Sequence, residues 1–219
     1  MSGDRNMVDK LGNYLLDNVL YKDEKITGDQ REIMLFGVVR ILEDIPKYVL
    51  IILISFLFNI LKDVAIVGLI TICYKGFIGG AHARTNLICF LVSLMFFTLP
   101  VIISKNISLS NDAIYFIYFI TFIYSTFIIL KISPADTEEI PILSSEKRKR
   151  YKLFAFISLL LIYIVTLYII KSNYISTIII STIFLINTFS TKPFYRLFKC
   201  KYSYESEEFK DYFNNKGIN

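Results

Sequence analysis

Four long apolar runs, 87–104, 113–130, 153–170 and 174–190, constrain this chain more than any other feature. Each is close to the length of about 20 residues with which a helix crosses the hydrocarbon core of a bilayer. In that medium every backbone N–H and C=O needs a partner inside the segment, so runs of this length fold as helices. Two shorter apolar segments, 47–60 and 64–74, precede them, with Lys62-Asp63 interrupting the pair. The expected fold class is all-α: a polytopic membrane helical bundle with six hydrophobic segments and N-terminal amphipathic helices. The first two segments are short, reaching only about 17–21 Å at 1.5 Å per residue. They suit a re-entrant hairpin with the charged pair at its tip, the alternative being one long helix with that pair at mid-depth.

Composition agrees with a membrane protein. Hydrophobic residues make up 54% of the chain, and 15 Tyr and 19 Phe supply interfacial aromatics although Trp is absent. The polar ends are too short for a soluble domain with its own core. The first forty-odd residues are polar with charges of both signs, and they lack the apolar centre of a cleavable signal peptide. The net charge of +5 does not point to nucleic acid, because the basic residues flank apolar spans, where membrane topology explains them. Three cysteines cannot pair completely, and their spacing is no disulfide framework, so reduced thiols are expected.

Residues 1–46 read as cytoplasmic or interfacial amphipathic helices, 47–191 as the membrane helical domain and 192–219 as a cytoplasmic basic tail. Val8, Leu11, Leu15, Leu16, Val19 and Leu20 recur at helical spacing, as do Ile33, Phe36, Val39, Ile41 and Leu42, with Gly28 between the two patterns. Segment 131–152 holds Lys147, Arg148, Lys149 and Arg150 besides its terminal lysines, and the tail is also basic. Both therefore belong inside. The short connections 105–112 and 171–173 belong outside, which puts residues 82–89 at the cytoplasmic face. Pro134 and Pro141 should keep the 133–146 connection out of a helix.

Chemistry concentrates in Gly79-Gly80-Ala81-His82, seven residues ahead of Cys89; His82 is the only histidine in the chain. On a straight helix such positions share a face but stand about 10.5 Å apart along the axis. An imidazole and a thiol react only within hydrogen-bond reach, so the pairing requires a break between them. Gly79-Gly80 permits a sharp turn, and Thr85 or Asn86 can cap a helix beginning at Leu87. Cys89 would then sit in a first helical turn, where the dipole and a neighbouring imidazole both favour a thiolate. Cys89 is the candidate nucleophile and His82 its base. The competing reading makes Cys89 an ordinary small apolar residue and His82 an interfacial polar group. One His and one Cys are half a zinc site, so neither a metal nor another cofactor is expected. Cys73 and Cys200 have no histidine near them in sequence and read as structural.

Gly79-Gly80-Ala81-His82-Ala83, the seven-residue step to Cys89, and Ser133-Pro134-Ala135-Asp136-Thr137-Glu138-Glu139-Ile140-Pro141-Ile142 together resemble the AgrB family (accessory gene regulator protein B). The second element is similar to that family's S/A-P-A-x-T-x-x-x-P-I signature, and the likeness covers essentially the whole chain. It implies a membrane-embedded cysteine endopeptidase of Gram-positive quorum sensing, multi-pass in the bacterial cell membrane, with His82 and Cys89 as the catalytic pair. It implies an AgrD-type propeptide as substrate, cut through an acyl-enzyme thioester and released as a cyclic thiolactone or lactone, and it implies a homodimer. Asp136, Glu43 or Asp44 could orient His82, although each also reads as a loop-capping or surface carboxylate. Lys147, Arg148, Lys149 and Arg150 could attract the acidic tail of such a substrate, or serve only to fix topology. A transporter without catalytic activity is the main alternative. It would call for ionisable residues along a pathway within the spans, and the four long runs carry almost none.

Overall fold

The structure is a computed structural model that describes residues 2–20, 28–81, 86–107, 109–137, 142, 144–169, 173–198 and 200–202. It divides into two compact units, Met1–Phe58 and Asn59–Asn219. Among the described residues regular structure is entirely helical, apart from two isolated β-bridges.

In the first unit, helix α1 (Ser2–Leu15) runs into a wider π-type turn at Leu16–Leu20, and α2 occupies Gly28–Leu57. The two helices approach closely at Gly12, where a Cβ would meet the Val39 side chain at 2.8 Å. Arg31 on α2 closes the pair, its guanidinium donating to Asp17 at 2.8 Å and to Asn13 at 2.8 Å. The two amphipathic patterns are thus two packed helices. The second does not stop at residue 46, because α2 continues through Pro46 to Leu57, losing only the one backbone donor that proline lacks. The chain then breaks at Phe58-Asn59, where Asn59 takes φ 53, so 47–74 is not one long helix. Asn tolerates that left-handed conformation better than most residues.

The second unit contains α3 (Leu61–Ile70), a π-type turn at Thr71–Lys75, the short α4 (Gly76–Ile78), α5 (Asn86–Asn106), α6 (Asn111–Lys131), α7 (Ser145–Ile169), α8 (Asn173–Phe189) and α9 (Lys192–Leu197). Among the described residues, Leu87–Asn106, Asn111–Lys131 and Ser145–Ile169 are long and apolar enough to cross a membrane. These three carry out the expectation from the apolar runs 87–104, 113–130 and 153–170. The fourth run forms α8, apolar but only 17 residues long, or about 25 Å. Helix α7 begins earlier than its apolar run because the basic stretch is itself helical. Ser144 starts it, accepting the Lys147 N–H at 3.3 Å.

Helix α8 is the axis of this unit, packing on α3, α5, α6 and α7. Its Ile178, Ile183 and Ile186 are fully buried, together with Thr182 and Asn187. The outer faces of the neighbouring helices present Leu91, Phe116, Phe119 and Leu161 outward. Polar groups inside and large apolar groups outside is the arrangement that hydrocarbon, not water, selects. Several interior hydroxyls bond within their own helices: Ser125 donates to Thr121 O at 2.6 Å, Thr166 to Ile162 O at 2.7 Å and Thr182 to Ile178 O at 2.7 Å.

A buried network crosses between helices at Asn187. Tyr74 donates its hydroxyl proton to Asn187 Oδ1 at 3.0 Å, and Asn187 Nδ2 donates to Ser125 Oγ at 2.9 Å and Ile183 O at 2.8 Å. At the far end of the bundle Tyr174 donates to Asp63 at 2.6 Å, and Asn173 donates to Leu109 O at 3.1 Å. Asp63 therefore belongs to a helix-end contact between α3 and α8. Asn187→Ala would strip the Tyr74 hydroxyl of its acceptor inside an apolar bundle. The expected loss is about 1–3 kcal/mol, read as a lower unfolding temperature of the detergent-solubilised protein, with Ser181→Ala, whose hydroxyl bonds back only to carbonyls of α8, nearly neutral.

Candidate active site

Helix α3 delivers the chain to the end of the second unit where α6 and α8 finish. The π-type turn swings Tyr74 inward to full burial, and Lys75, the next residue, holds its ammonium 5.0 Å from the Phe96 ring centroid. The chain leaves α4 through Gly79 (φ 81, ψ −154) and Gly80 (φ 147). The first of these conformations is open essentially to glycine alone. Gly79 also has no room for a side chain, since a Cβ would stand 2.3 Å from the Ala135 carbonyl oxygen. The glycine pair thus provides the turn expected of it.

Residues 79–81 then run extended between two walls. Ala135 donates its N–H to Ile78 O at 2.8 Å, and Gly80 donates to Ala135 O at 3.0 Å. On the other side Ala81 donates to Phe189 O at 3.1 Å, where α8 ends, and Ser190 Oγ donates to Gly79 O at 3.3 Å. The two sequence signatures, more than fifty residues apart in the chain, are therefore joined by backbone hydrogen bonds. The Ser133–Pro134 peptide bond is cis. Such pairing satisfies main-chain groups that apolar surroundings would otherwise leave stranded.

Cys89 is in the first turn of α5 with a half-buried thiol. It lies seven residues before Phe96, on the same face of the helix, and the Phe96 ring packs edge-on against Phe189 at 5.7 Å. His82 and Thr85 lie outside the described residues. Only four residues separate Ala81 from Asn86, so the junction and the start of α5 are tethered within about 18 Å.

Asp136 follows Ala135 on the same wall. Its carboxylate accepts two hydrogen bonds from the Arg148 guanidinium, at 2.6 and 2.7 Å, and one from the Ile142 N–H at 2.8 Å. With only 4% of the Asp136 side chain exposed, this pair anchors the 133–142 connection to α7. Arg148 thereby differs from its basic neighbours: Lys147 and Lys149 point outward, and Arg150 pairs with Glu146 four residues back. Glu43 and Asp44 lie on α2 of the first unit, Asp44 paired with Lys47 at 2.8 Å.

Several residues at this junction escaped the reading of the sequence. Tyr195 and Tyr202, 2% exposed each, pack with Ala81 and Ala135 in a small core to which Phe194, Phe198 and Cys200 contribute. Cys200 accordingly has a packing role, against the small core that includes Ala81. Lys75 gives no signal in the sequence, since a lone lysine at the end of an apolar run usually marks an interface. Among the described residues no three His, Cys, Asp or Glu side chains gather within reach of one metal ion.

A family model described as Accessory gene regulator B matches residues 8–191. An AgrB-like protein of Clostridium acetobutylicum is 27% identical over 170 residues, covering 76% of this chain and 77% of its own. One from Clostridium perfringens strain SM101 is 25% identical over 158 residues, with 67% and 69% covered. One from Listeria monocytogenes serotype 4a is 30% identical over 127 residues, with 58% and 60% covered. No solved structure matches the chain.

The close approach at Gly79 yields a direct expectation. Gly79→Ala adds backbone strain of about 1–3 kcal/mol to a collision with a main-chain oxygen that cannot rotate away. The variant should unfold earlier and lose its junction, whereas Gly76→Ala, which meets nothing within 4 Å, should behave as the parent in the same thermal scan.

Proposed function

The chain belongs to the accessory gene regulator B (AgrB) family, and from that premise we propose that it is a membrane-embedded cysteine endopeptidase that processes a quorum-sensing propeptide. Membership brings with it a membrane location and an AgrD-type propeptide partner. The observation that carries the finer reading is the junction itself. Gly79, Gly80 and Ala81, the three residues leading into the chain's single imidazole, are hydrogen-bonded on both sides, and the helix bearing Cys89 starts five residues further on.

In the proposed reaction His82 takes the Cys89 proton and the thiolate attacks the scissile carbonyl. The C–N bond breaks, the imidazolium protonates the leaving amine, and the acidic C-terminal tail departs. The remaining peptide is held on Cys89 as a thioester. A nucleophile within that peptide, a thiol or hydroxyl, then gives its proton to His82 and attacks the thioester carbonyl. The cyclic thiolactone or lactone leaves and the Cys89 thiolate is restored. Cyclisation competes with hydrolysis because the attacking group is already tethered, a large effective concentration. The first turn of α5 also offers backbone N–H groups with no helical partner, which suit the oxyanion of each tetrahedral intermediate.

Asp136 supports this site by holding the Ala135 wall to α7 through Arg148. Recruitment of an acidic substrate tail then falls to Lys147, Lys149 and Arg150 on the outward side of α7. The enzyme works as a homodimer in this reading, with the site at the cytoplasmic face. The test is propeptide cleavage in proteoliposomes, followed by mass spectrometry. Cys89→Ala should lower cleavage by at least about a thousandfold, while Cys73→Ala and Cys200→Ala stay within about fivefold of the parent. Full cleavage by Cys89→Ala would remove the protease reading.

A further inference from the structure

We propose that Tyr195 and Tyr202 are positioning residues of this site, setting the approach of His82 to Cys89 through the backbone that precedes His82. The inference rests on the protease reading. It concerns α9 and the residues after it, which lie past residue 191, where the family match ends.

Each hydroxyl holds one wall of the junction. Tyr195 donates to Ala135 O at 2.6 Å and lies 3.3 Å from Asp136 O. Ala135 O is the same atom that accepts the Gly80 N–H, so both its lone pairs are in use. Tyr202 donates to Ser190 O at 2.7 Å, on the residue whose own hydroxyl reaches Gly79 O. The two rings stack with centroids 3.9 Å apart and planes 15° from parallel. They are tied by the Cys200 N–H to Tyr195 O bond at 2.9 Å and by a backbone bridge between Tyr202 and Thr137. The stack is therefore a brace across the two walls that grip 79–81.

Packing alone does not call for tyrosine at either place. Phenylalanine would fill the same volume and could stack in the same way, and Phe194 and Phe198 already pack against this small core without a hydroxyl. What tyrosine adds is a buried donor aimed at a main-chain carbonyl, and a buried hydroxyl is costly unless it finds such a partner. Both hydroxyls act on carbonyls of the walls. Removing either lets its wall relax, and the segment that carries His82 moves with it. Displacements of about 1 Å in a catalytic pair can cost a hundredfold in rate.

The experiment is a double-mutant cycle with two readouts on the full chain in proteoliposomes: propeptide cleavage, and iodoacetamide alkylation of Cys89 quantified by peptide mapping. Tyr195→Phe should lower kcat about tenfold and leave KM within about twofold, because the brace touches no substrate. It should slow Cys89 alkylation in the parent, yet change it by less than about twofold when His82→Ala is already present. Tyr202→Phe should follow the same pattern, and it carries the test alone if Tyr195→Phe fails to insert. Unchanged kcat and alkylation in both variants would overturn the proposal. So would equal slowing with and without His82, the mark of a purely structural role. If His82→Ala itself leaves Cys89 alkylation at the parental rate, the catalytic pair fails and the protease reading goes with it. A slowed His82→Ala beside silent tyrosine variants overturns the brace alone.

Discussion

Three main-chain hydrogen bonds bear most of the weight in this protein: Ala135 N–H to Ile78 O, Gly80 N–H to Ala135 O, and Ala81 N–H to Phe189 O. They pin a non-helical segment between the end of α8 and the connection that follows α6. A buried irregular stretch must pair its backbone with other groups of the protein, and pairing of that kind admits little tolerance in position. The requirement for glycine at 79, the burial of Ala135 and the inward hydroxyls of Tyr195 and Tyr202 all follow from it.

The supporting bundle obeys the same rule by different means. Its helices satisfy their backbones internally, and many of the polar side chains inside bond back to their own helix or meet at Asn187. The Tyr74–Asn187–Ser125 network stands in the π-type turn ahead of the junction and at the last turn of α8. It holds the π-type turn, which leads through α4 to Gly79. The wider turn is what brings Tyr74 inside while Lys75 passes across Phe96.

Local patterns in the sequence reveal the long helices because each run answers to its immediate medium. The runs 87–104, 113–130 and 153–170 became α5, α6 and α7 with ends displaced by a few residues. The largest displacement is at α7, where Lys147 to Arg150 read as a topological loop but form helix. A charged stretch has no apolar period to reveal it. Gly79-Gly80 was legible as a hinge because only glycine makes such a turn cheaply. Its partners were not legible: Ala135 and Phe189 contribute main-chain atoms, which any residue supplies, and α9 with Tyr202 looks like a basic tail by charge. Asp136 shows the intermediate case, a carboxylate visible as a candidate whose partner, Arg148, only the fold identifies.

The central claim is that the chain bends between 82 and 89 so that the two side chains meet. In a protein carrying Cys73→Ser and Cys200→Ser, the change His82→Cys puts a second thiol seven positions before Cys89. A disulfide needs Cα atoms within about 7 Å, whereas a straight helix would hold them about 10.5 Å apart along its axis. Mild oxidation in the membrane followed by peptide mapping should give an intramolecular bridge to Cys89. Two thiols that stay fully alkylatable after prolonged oxidation would contradict the account.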